Sequence, residues 1–531
     1  MPGTYTYPGV YIEEVPSAVR TIAGAATSDT AFIDFFTRGP MGEAVEVTSL
    51  EDFNRKFGGL NAQSEASYAI QQYYLNGGSI AWVVRVAGGA PVAARLTLQG
   101  GSPAANAVTV EAKSLGVWGR DLQVAVDYKT REPVQPNEFN LVVREVRTVA
   151  GRRVVVSSEV HRNLSMAATS SRNVQAAVNA ESLLVRVPTV GAGDRPASTG
   201  ANVTSADVIA DADDAASAFR ALGTGQSPTA NDGTPPGSAE LIAGLSALDR
   251  IAPRIFNLLC LPSASNLARA QHRDVVQAAE KLCLNHRAFC IVDPPADVDR
   301  LDQLNTWMGA EGALIRHNNA AVYFPRVFMS DPLNESRPRE VGPSGTVAGV
   351  YARTDATRGV WKAPAGTDAT TVGVDVLVKL TDAEHGGLNP LGINALRNFP
   401  IFGNVVWGAR TLNGSDQQAS EWKYIPVRRI ALYIEESLYQ GLNWVVFEPN
   451  HEPLWSQIRL NVGAFMNNLF RQGAFQGDTP AKAYFVKCDA ETTTQNDIDR
   501  GIVNVLVGFA PLKPAEFVVI KLEQMAGQIQ T

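Results

Sequence analysis

Apolar runs separated by helix-like stretches constrain this chain more than any other feature. Residues 28–36 read Ser-Asp-Thr-Ala-Phe-Ile-Asp-Phe-Phe, and residues 80–86 read Ile-Ala-Trp-Val-Val-Arg-Val. Neither run alternates apolar and polar positions as a half-buried strand does. Both place apolar side chains at successive positions, as a strand covered on both faces must. Between them lie two helix patterns. One opens at Ser49, a good N-cap, and the other covers 67–75 and stops at Gly77-Gly78. The rhythm resumes after residue 238, with helices over 238–250, 265–285 and 299–309 and strands over 255–261, 288–293 and 320–324. Such alternation predicts an α/β body with a mostly parallel sheet between helical layers.

The remainder has a different texture. Five short β-like runs (92–98, 107–112, 122–128, 139–146, 153–160) with turn residues between them read as an inserted β-rich domain. Residues 191–238, which end in Asn231-Asp232-Gly233-Thr234-Pro235-Pro236-Gly237, read as a loop or linker with modest helical content. Further on come a helix over 426–440, a strand over 444–448 and an amphipathic helix over 453–470. That last helix gathers Leu454, Ile458, Val462, Phe465 and Leu469 on one face, away from Gln457, Arg459, Asn467 and Arg471. Two strands, 502–509 and 516–523, close the chain. At the other end, residues 5–15 (Tyr-Thr-Tyr-Pro-Gly-Val-Tyr-Ile-Glu-Glu-Val) form an extended segment with no local hairpin partner. A terminal strand without a local partner must find its hydrogen bonds elsewhere, and another chain can supply them.

With 531 residues, 45% hydrophobic and 19% charged, the chain is long and apolar enough for about three folded domains. The expected division is an N-terminal arm (1–26), the α/β body (27–91 with 239–400), the inserted outer domain and linker (92–238) and a C-terminal domain (401–531). A net charge of −7 gives the whole molecule no electrostatic attraction to phosphate backbones, so no direct nucleic-acid partner is expected. No apolar run approaches the roughly 20 residues needed to cross a bilayer, and Met1-Pro2-Gly3-Thr4-Tyr5 lacks a secretion signal, so synthesis in the cytoplasm with no direct membrane contact is expected.

Motifs for chemistry are weak throughout. Cys260, Cys283, Cys290 and Cys488 are few and irregularly spaced, which suits neither a disulfide framework nor, with six His, a zinc site. Neither a Gly-x-x-x-x-Gly-Lys-Ser/Thr nor a Gly-x-Gly-x-x-Gly loop occurs, so no cofactor is expected. Asp207, Asp211, Asp213 and Asp214 lack the turn glycine and closing Glu of a calcium loop. Glu384-His385, followed by Gly386-Gly387, reads as a turn before the next element. The one enzyme alternative is an α/β hydrolase-like protein with Ser344 as nucleophile and His317 or His385 as helper. No Gly-x-Ser-x-Gly elbow supports it, and a tight turn with close helix packing explains Ser344 to Gly349 better.

Several longer strings resemble the contractile tail sheath family of phages and bacterial injection systems. Tyr7-Pro8-Gly9-Val10-Tyr11-Ile12-Glu13-Glu14-Val15 looks like the family's opening, followed by Gly39-Pro40, Phe57-Gly58-Gly59, Asn76-Gly77-Gly78 leading to Val83-Val84-Arg85-Val86, and Gly116-Val117-Trp118-Gly119. Further matches are Gly359-Val360-Trp361-Lys362-Ala363-Pro364, Trp407-Gly408-Ala409-Arg410-Thr411-Leu412, Phe447-Glu448-Pro449-Asn450, Pro453-Leu454-Trp455, Arg471-Gln472-Gly473-Ala474, Cys488-Asp489, and Ala510-Pro511 through Pro514-Ala515-Glu516-Phe517-Val518. Residues 120–240 match least.

The resemblance implies a subtilisin-like α/β body without protease residues, an inserted β-rich domain, and a C-terminal α+β sheath domain with extended terminal arms. It implies a structural subunit, not an enzyme, that stacks as hexameric rings around an inner tube protein, contracts, and meets baseplate and terminator or cap proteins in a virion tail or contractile particle. Strand exchange between subunits is then expected at Val10, Tyr11, Ile12 and Glu13 and at Phe517, Val518, Val519 and Ile520, with hinges over 17–26 and 524–531. Arg459 and Arg471 are candidate inner-tube contacts.

Overall fold

The runs expected to be strands buried on both faces assemble into one eight-stranded sheet. In spatial order its strands are Gly403–Trp407, Ile393–Phe399, Ala320–Phe324, Phe289–Val292, Leu258–Cys260, Thr30–Asp34, Ala81–Arg85 and Ala44–Val47. The six inner strands run parallel and both edge strands antiparallel. The computed structural model describes residues 20–521, apart from residues 102, 134, 192–193, 214–217 and 252–254.

Side-chain alternation divides the sheet between two cores. Ala31 and Ile33 face one core with Leu241, Val275, Val276 and Trp307 of helices Ser238–Leu245, Arg269–Asn285 and Leu301–Gly309. Phe32 faces the other, with Phe53, Tyr73 and Tyr351 of helices Leu50–Phe57, Glu65–Leu75 and Ser344–Arg358. Ser49 caps the first of these helices, accepting from the Asp52 amide at 3.1 Å. Glu65–Leu75 and Ser344–Arg358 cross very closely. A Cβ on Gly345 would sit 2.3 Å from the Ala69 carbonyl oxygen, and one on Gly349 2.6 Å from that of Tyr73. The glycines after Ser344 therefore serve the expected close helix packing, but from inside a helix and not in the expected tight turn.

The β-rich stretch forms two small sheets. One pairs Arg95–Gly100, Ala105–Ala112 and Val185–Val190; the other pairs Arg220–Ala221, Leu122–Asp127, Glu138–Val149 and Arg152–Ser165. They share a separate core that includes Val108, Val110, Trp118, Val124, Leu141 and Val143. The described residues of 191–237 contain one short helix, Ala206–Ala210, and return to the body through bridges from Val92 to Asn231 and from Gly88 to Thr234.

At the C-terminal end, helices Ile425–Gly441 and Glu452–Arg471 pack over Ile430, Ile434, Leu454, Ile458, Val462, Phe465 and Leu469. All five residues of the expected apolar face are buried. Two sequence expectations fail here. Residues 444–448 are not a strand: Asn443–Val445 make a 3₁₀ turn after the helix, and Phe447 takes φ 70°, which breaks extended backbone. Of 502–509, only Leu506–Phe509 is a strand, paired antiparallel with Tyr484–Lys487. The described part of 516–523 forms no strand with any other described residue.

Candidate functional site

Among the described residues, Ser344 has no histidine against its hydroxyl. It opens its helix fully buried; its Oγ donates to Asp293 Oδ2 at 2.5 Å, and its amide donates to Oδ1 at 2.8 Å. Burial pushes the Asp293 carboxyl up to about 6. The nearby His272 reaches only the Asp293 main-chain oxygen, at 2.9 Å. His317 instead accepts from the Asn319 amide, and His385 sits in helix Asp382–Leu388. Glu384 is not in a turn before that helix but inside its first turn, accepting from the Thr381 amide and hydroxyl at 2.8 Å. The hydroxyl is bound to a buried carboxyl and, among the described residues, no imidazole contacts it, so the Ser-His pair of a hydrolase is not formed.

Among the described residues, no group of three or more His, Cys, Asp or Glu is placed to hold a metal, and no helix is long and apolar enough to cross a membrane. Asp214 lies outside the described residues, while Asp211 accepts from the Asp213 amide within its own turn. All four cysteines are free and buried.

What the structure does build is a pair of anchored chain ends. The Arg20 amide donates to Asn461 Oδ1 at 3.0 Å while its guanidinium stacks 4.7 Å from the Trp444 ring. Ile22 is buried among residues of the two C-terminal helices. The Ala25 amide donates to Ser437 Oγ at 3.0 Å, and Arg429 donates to the Thr27 carbonyl at 2.9 Å. Arg429 is itself locked by Asp355 at 2.6 and 2.9 Å, with both side chains only 3% exposed. Burial alone would lower the pKa of Arg429; the Asp355 carboxylate beside it raises it instead. Within residues 20–26, part of the expected hinge over 17–26, the Arg20 and Ala25 amides and the Ile22 side chain have partners on the C-terminal block. The rest of that stretch, residues 17–19, and the whole of 524–531 lie outside the described residues, as do Val10, Tyr11, Ile12 and Glu13.

The C-terminal root has its own clamp. Arg410 Nε and Nη2 donate to Glu516 Oε1 and Oε2 at 2.8 and 2.6 Å, and the Tyr424 hydroxyl donates to Oε2 at 3.3 Å. Immediately beyond, Phe517, Val518, Val519 and Ile520 are 76–83% exposed. The sheet of Tyr484–Lys487 and Leu506–Phe509 has no further strand among the described residues, and it exposes Phe485 and Leu506. Neither this sheet nor Arg410 was apparent as a functional feature from the sequence. The only sign was Arg410's place in the string 407–412.

Arg459 and Arg471 share a helix but differ in setting. Arg459 donates to the Cys488 carbonyl and, at 2.5 Å, to Glu452, which ties the helix to the strand region behind it. Arg471 is exposed at the helix end.

Known proteins resemble this chain in both sequence and fold. Residues 235–412 match the family model of the phage tail sheath protein central domain, and residues 417–524 match that of the phage tail sheath C-terminal domain, together more than half of the chain. A tail sheath protein of Vibrio phage KVP40 is 28% identical over 195 residues, a match spanning 36% of this chain and 28% of that protein. In fold, the chain is similar to the contracted helical sheath of the anti-feeding prophage, with a TM-score of 0.56, 23% identity, and coverage of 98% of this chain and 100% of that one. It is also similar to a sheath tail protein of Listeria innocua, with a TM-score of 0.58, 16% identity, and coverage of 93% and 96%.

Proposed function

Because the chain belongs to the phage tail sheath family, which is structural and not enzymatic, we propose that it polymerises as stacked six-membered rings around an inner tube. Shortening of that polymer drives the tube through a target envelope. The observation that carries this reading is the pairing, on one molecule, of an exposed apolar segment, Phe517–Ile520, with a two-stranded sheet open at its edges. Each is half of a β-sheet. A neighbouring copy's Phe517–Ile520, and Val10, Tyr11, Ile12 and Glu13 from another, would complete Tyr484–Lys487 and Leu506–Phe509 through main-chain hydrogen bonds. At roughly 0.5–1.5 kcal/mol each, several such bonds per arm can outlast a large rearrangement.

Contraction then needs only a second packing of rigid bodies that lies a few kcal/mol lower per subunit, and no nucleotide is consumed. The buried parallel sheet with Ser344 spent on Asp293 supports a subtilisin-like body that has no hydrolytic role. Arg471, exposed at the end of Glu452–Arg471, is the better placed of the two arginines to meet an inner tube, because Arg459 already has partners in its own chain. Baseplate and terminator proteins would close the two ends of the polymer, in a virion tail or a related particle. The test is electron microscopy of the full chain produced with its tube protein, alongside a form lacking residues 1–19 and 516–531. The reading expects long and short cylinders from the first and none from the second; intact, shrinkable cylinders from the trimmed chain would refute it.

A further inference from the structure

We propose that Arg410 is the anchor of the C-terminal arm: its buried guanidinium grips Glu516 and fixes the point and direction from which Phe517–Ile520 are offered to a neighbouring copy. The inference deepens the sheath reading and rests on it. Residues 510–511 are held by main-chain contacts, with the Gln476 amide donating to the Ala510 carbonyl at 2.9 Å and Pro511 bridging Phe475. Residues 512–515 then border a cleft of about 980 Å³ whose walls include Trp361, Trp407 and Pro426. Glu516 is the next firm contact, and the residues after it are exposed.

The grip suits a load-bearing joint. Two parallel N–H···O bonds fix orientation as well as distance, which a single contact does not. Arg410 is 1% exposed and has partners besides the arm. Its Nη1 donates to the Asn389 carbonyl at 2.8 Å and to Asp416 at 3.0 Å. Its main chain is clasped by Asn394, which accepts from the Arg410 amide at 2.7 Å and donates to its carbonyl at 2.8 Å. Asn394 lies in strand Ile393–Phe399 of the main sheet, so a pull on the arm is delivered to the sheet. Tyr424, the other group on Glu516, directly precedes helix Ile425–Gly441, against which residues 20–27 are held. Both arms therefore bear on one junction. When Glu516 is replaced, Arg410 keeps Asp416 and Asn389, so the fold does not depend on the pair.

The test uses the full chain with spin labels on Glu43→Cys and Val519→Cys; the native cysteines are buried and do not compete. Below the assembly concentration, the unsubstituted clamp should give one narrow distance distribution. Glu516→Ala should broaden it at least twofold, and Arg410→Lys should do the same because an ammonium cannot make the forked contact. Without the labels, Glu516→Ala should raise the concentration needed for polymerisation about tenfold. A chain ending at residue 515 serves as reference. If that chain fails to polymerise while Glu516→Ala keeps the narrow distribution or the normal assembly concentration, the anchor is wrong and the sheath reading stands. If the shortened chain polymerises normally, the arm-donation reading itself falls, and the anchor with it.

Discussion

The main sheet and the C-terminal strands use the same backbone chemistry to opposite ends. In the main sheet every residue of Thr30–Asp34, Ala81–Arg85 and Ala320–Phe324 is buried, and helices of the same chain cover both faces. In Tyr484–Lys487 and Leu506–Phe509 no residue is buried, and Phe517–Ile520 stand in solvent. The first region is complete within one copy. The second offers hydrogen bonds and apolar surface that no described part of its own chain satisfies. A polymer built from such a molecule can change its lattice by moving connectors while each body keeps its packing. Substitutions in the body should therefore change the stability of the isolated subunit, and substitutions in the connectors should not.

The largest loss is expected from Asp355→Ala, which leaves Arg429 buried without its carboxylate. A broken buried pair costs about 3–5 kcal/mol. Because Arg429 also holds the Thr27 carbonyl, the loss should be accompanied by faster proteolysis near residues 20–27, measured beside chemical denaturation. Gly345→Leu comes next. The Ala69 backbone that its Cβ would strike cannot rotate away, and forcing the helices apart should cost about 1–3 kcal/mol in the same denaturation assay.

Glu280→Gln should have an effect that appears only as the pH rises. Glu280 is buried in helix Arg269–Asn285, its Oε1 has no partner among the described residues, and burial pushes its pKa from 4.5 up to about 8. A group whose folded pKa is raised contributes its full stability below the unfolded value and loses it as pH rises through the folded one. Wild type and variant should therefore unfold alike below about pH 4.5. The variant should gain progressively up to about pH 8 and keep an advantage of about 1–3 kcal/mol above it. Equal melting curves at pH 9 would show that this part of the body tolerates a charge.

Legibility from sequence follows the same division. The buried strands declared themselves because apolar residues at successive positions leave few other readings, and Ser49 announced its helix through a local contact three residues away. Residues 444–448 misled because Val445, Val446 and Phe447 carry a strand's composition, whereas the backbone of Phe447 is left-handed and its ring lies in solvent. The anchors were invisible for another reason. Arg410 and Glu516 are 106 residues apart, and Arg429 and Asp355 are 74 apart, so no spacing rule connects them. The exposed run 517–520 was legible as strand-like, but no described strand of its own chain pairs with it.

The smallest effect on the subunit, and the sharpest probe of the comparison, is expected from Val519→Asp. Val519 is 79% exposed and has little packing to lose, so the stability of the isolated chain should change by no more than about 0.5 kcal/mol. In an assembled sheet the same position would lie beside a neighbour's strand, where a carboxylate has to be desolvated without a partner. The subunit should therefore melt as wild type does and yet fail to sediment as polymer at concentrations where wild type assembles. Val519→Thr, which keeps β-branching and adds no charge, should assemble nearly normally. If Val519→Asp polymerises as well as wild type, these residues do not enter a neighbour's sheet, and the exposed apolar run would need another occupant.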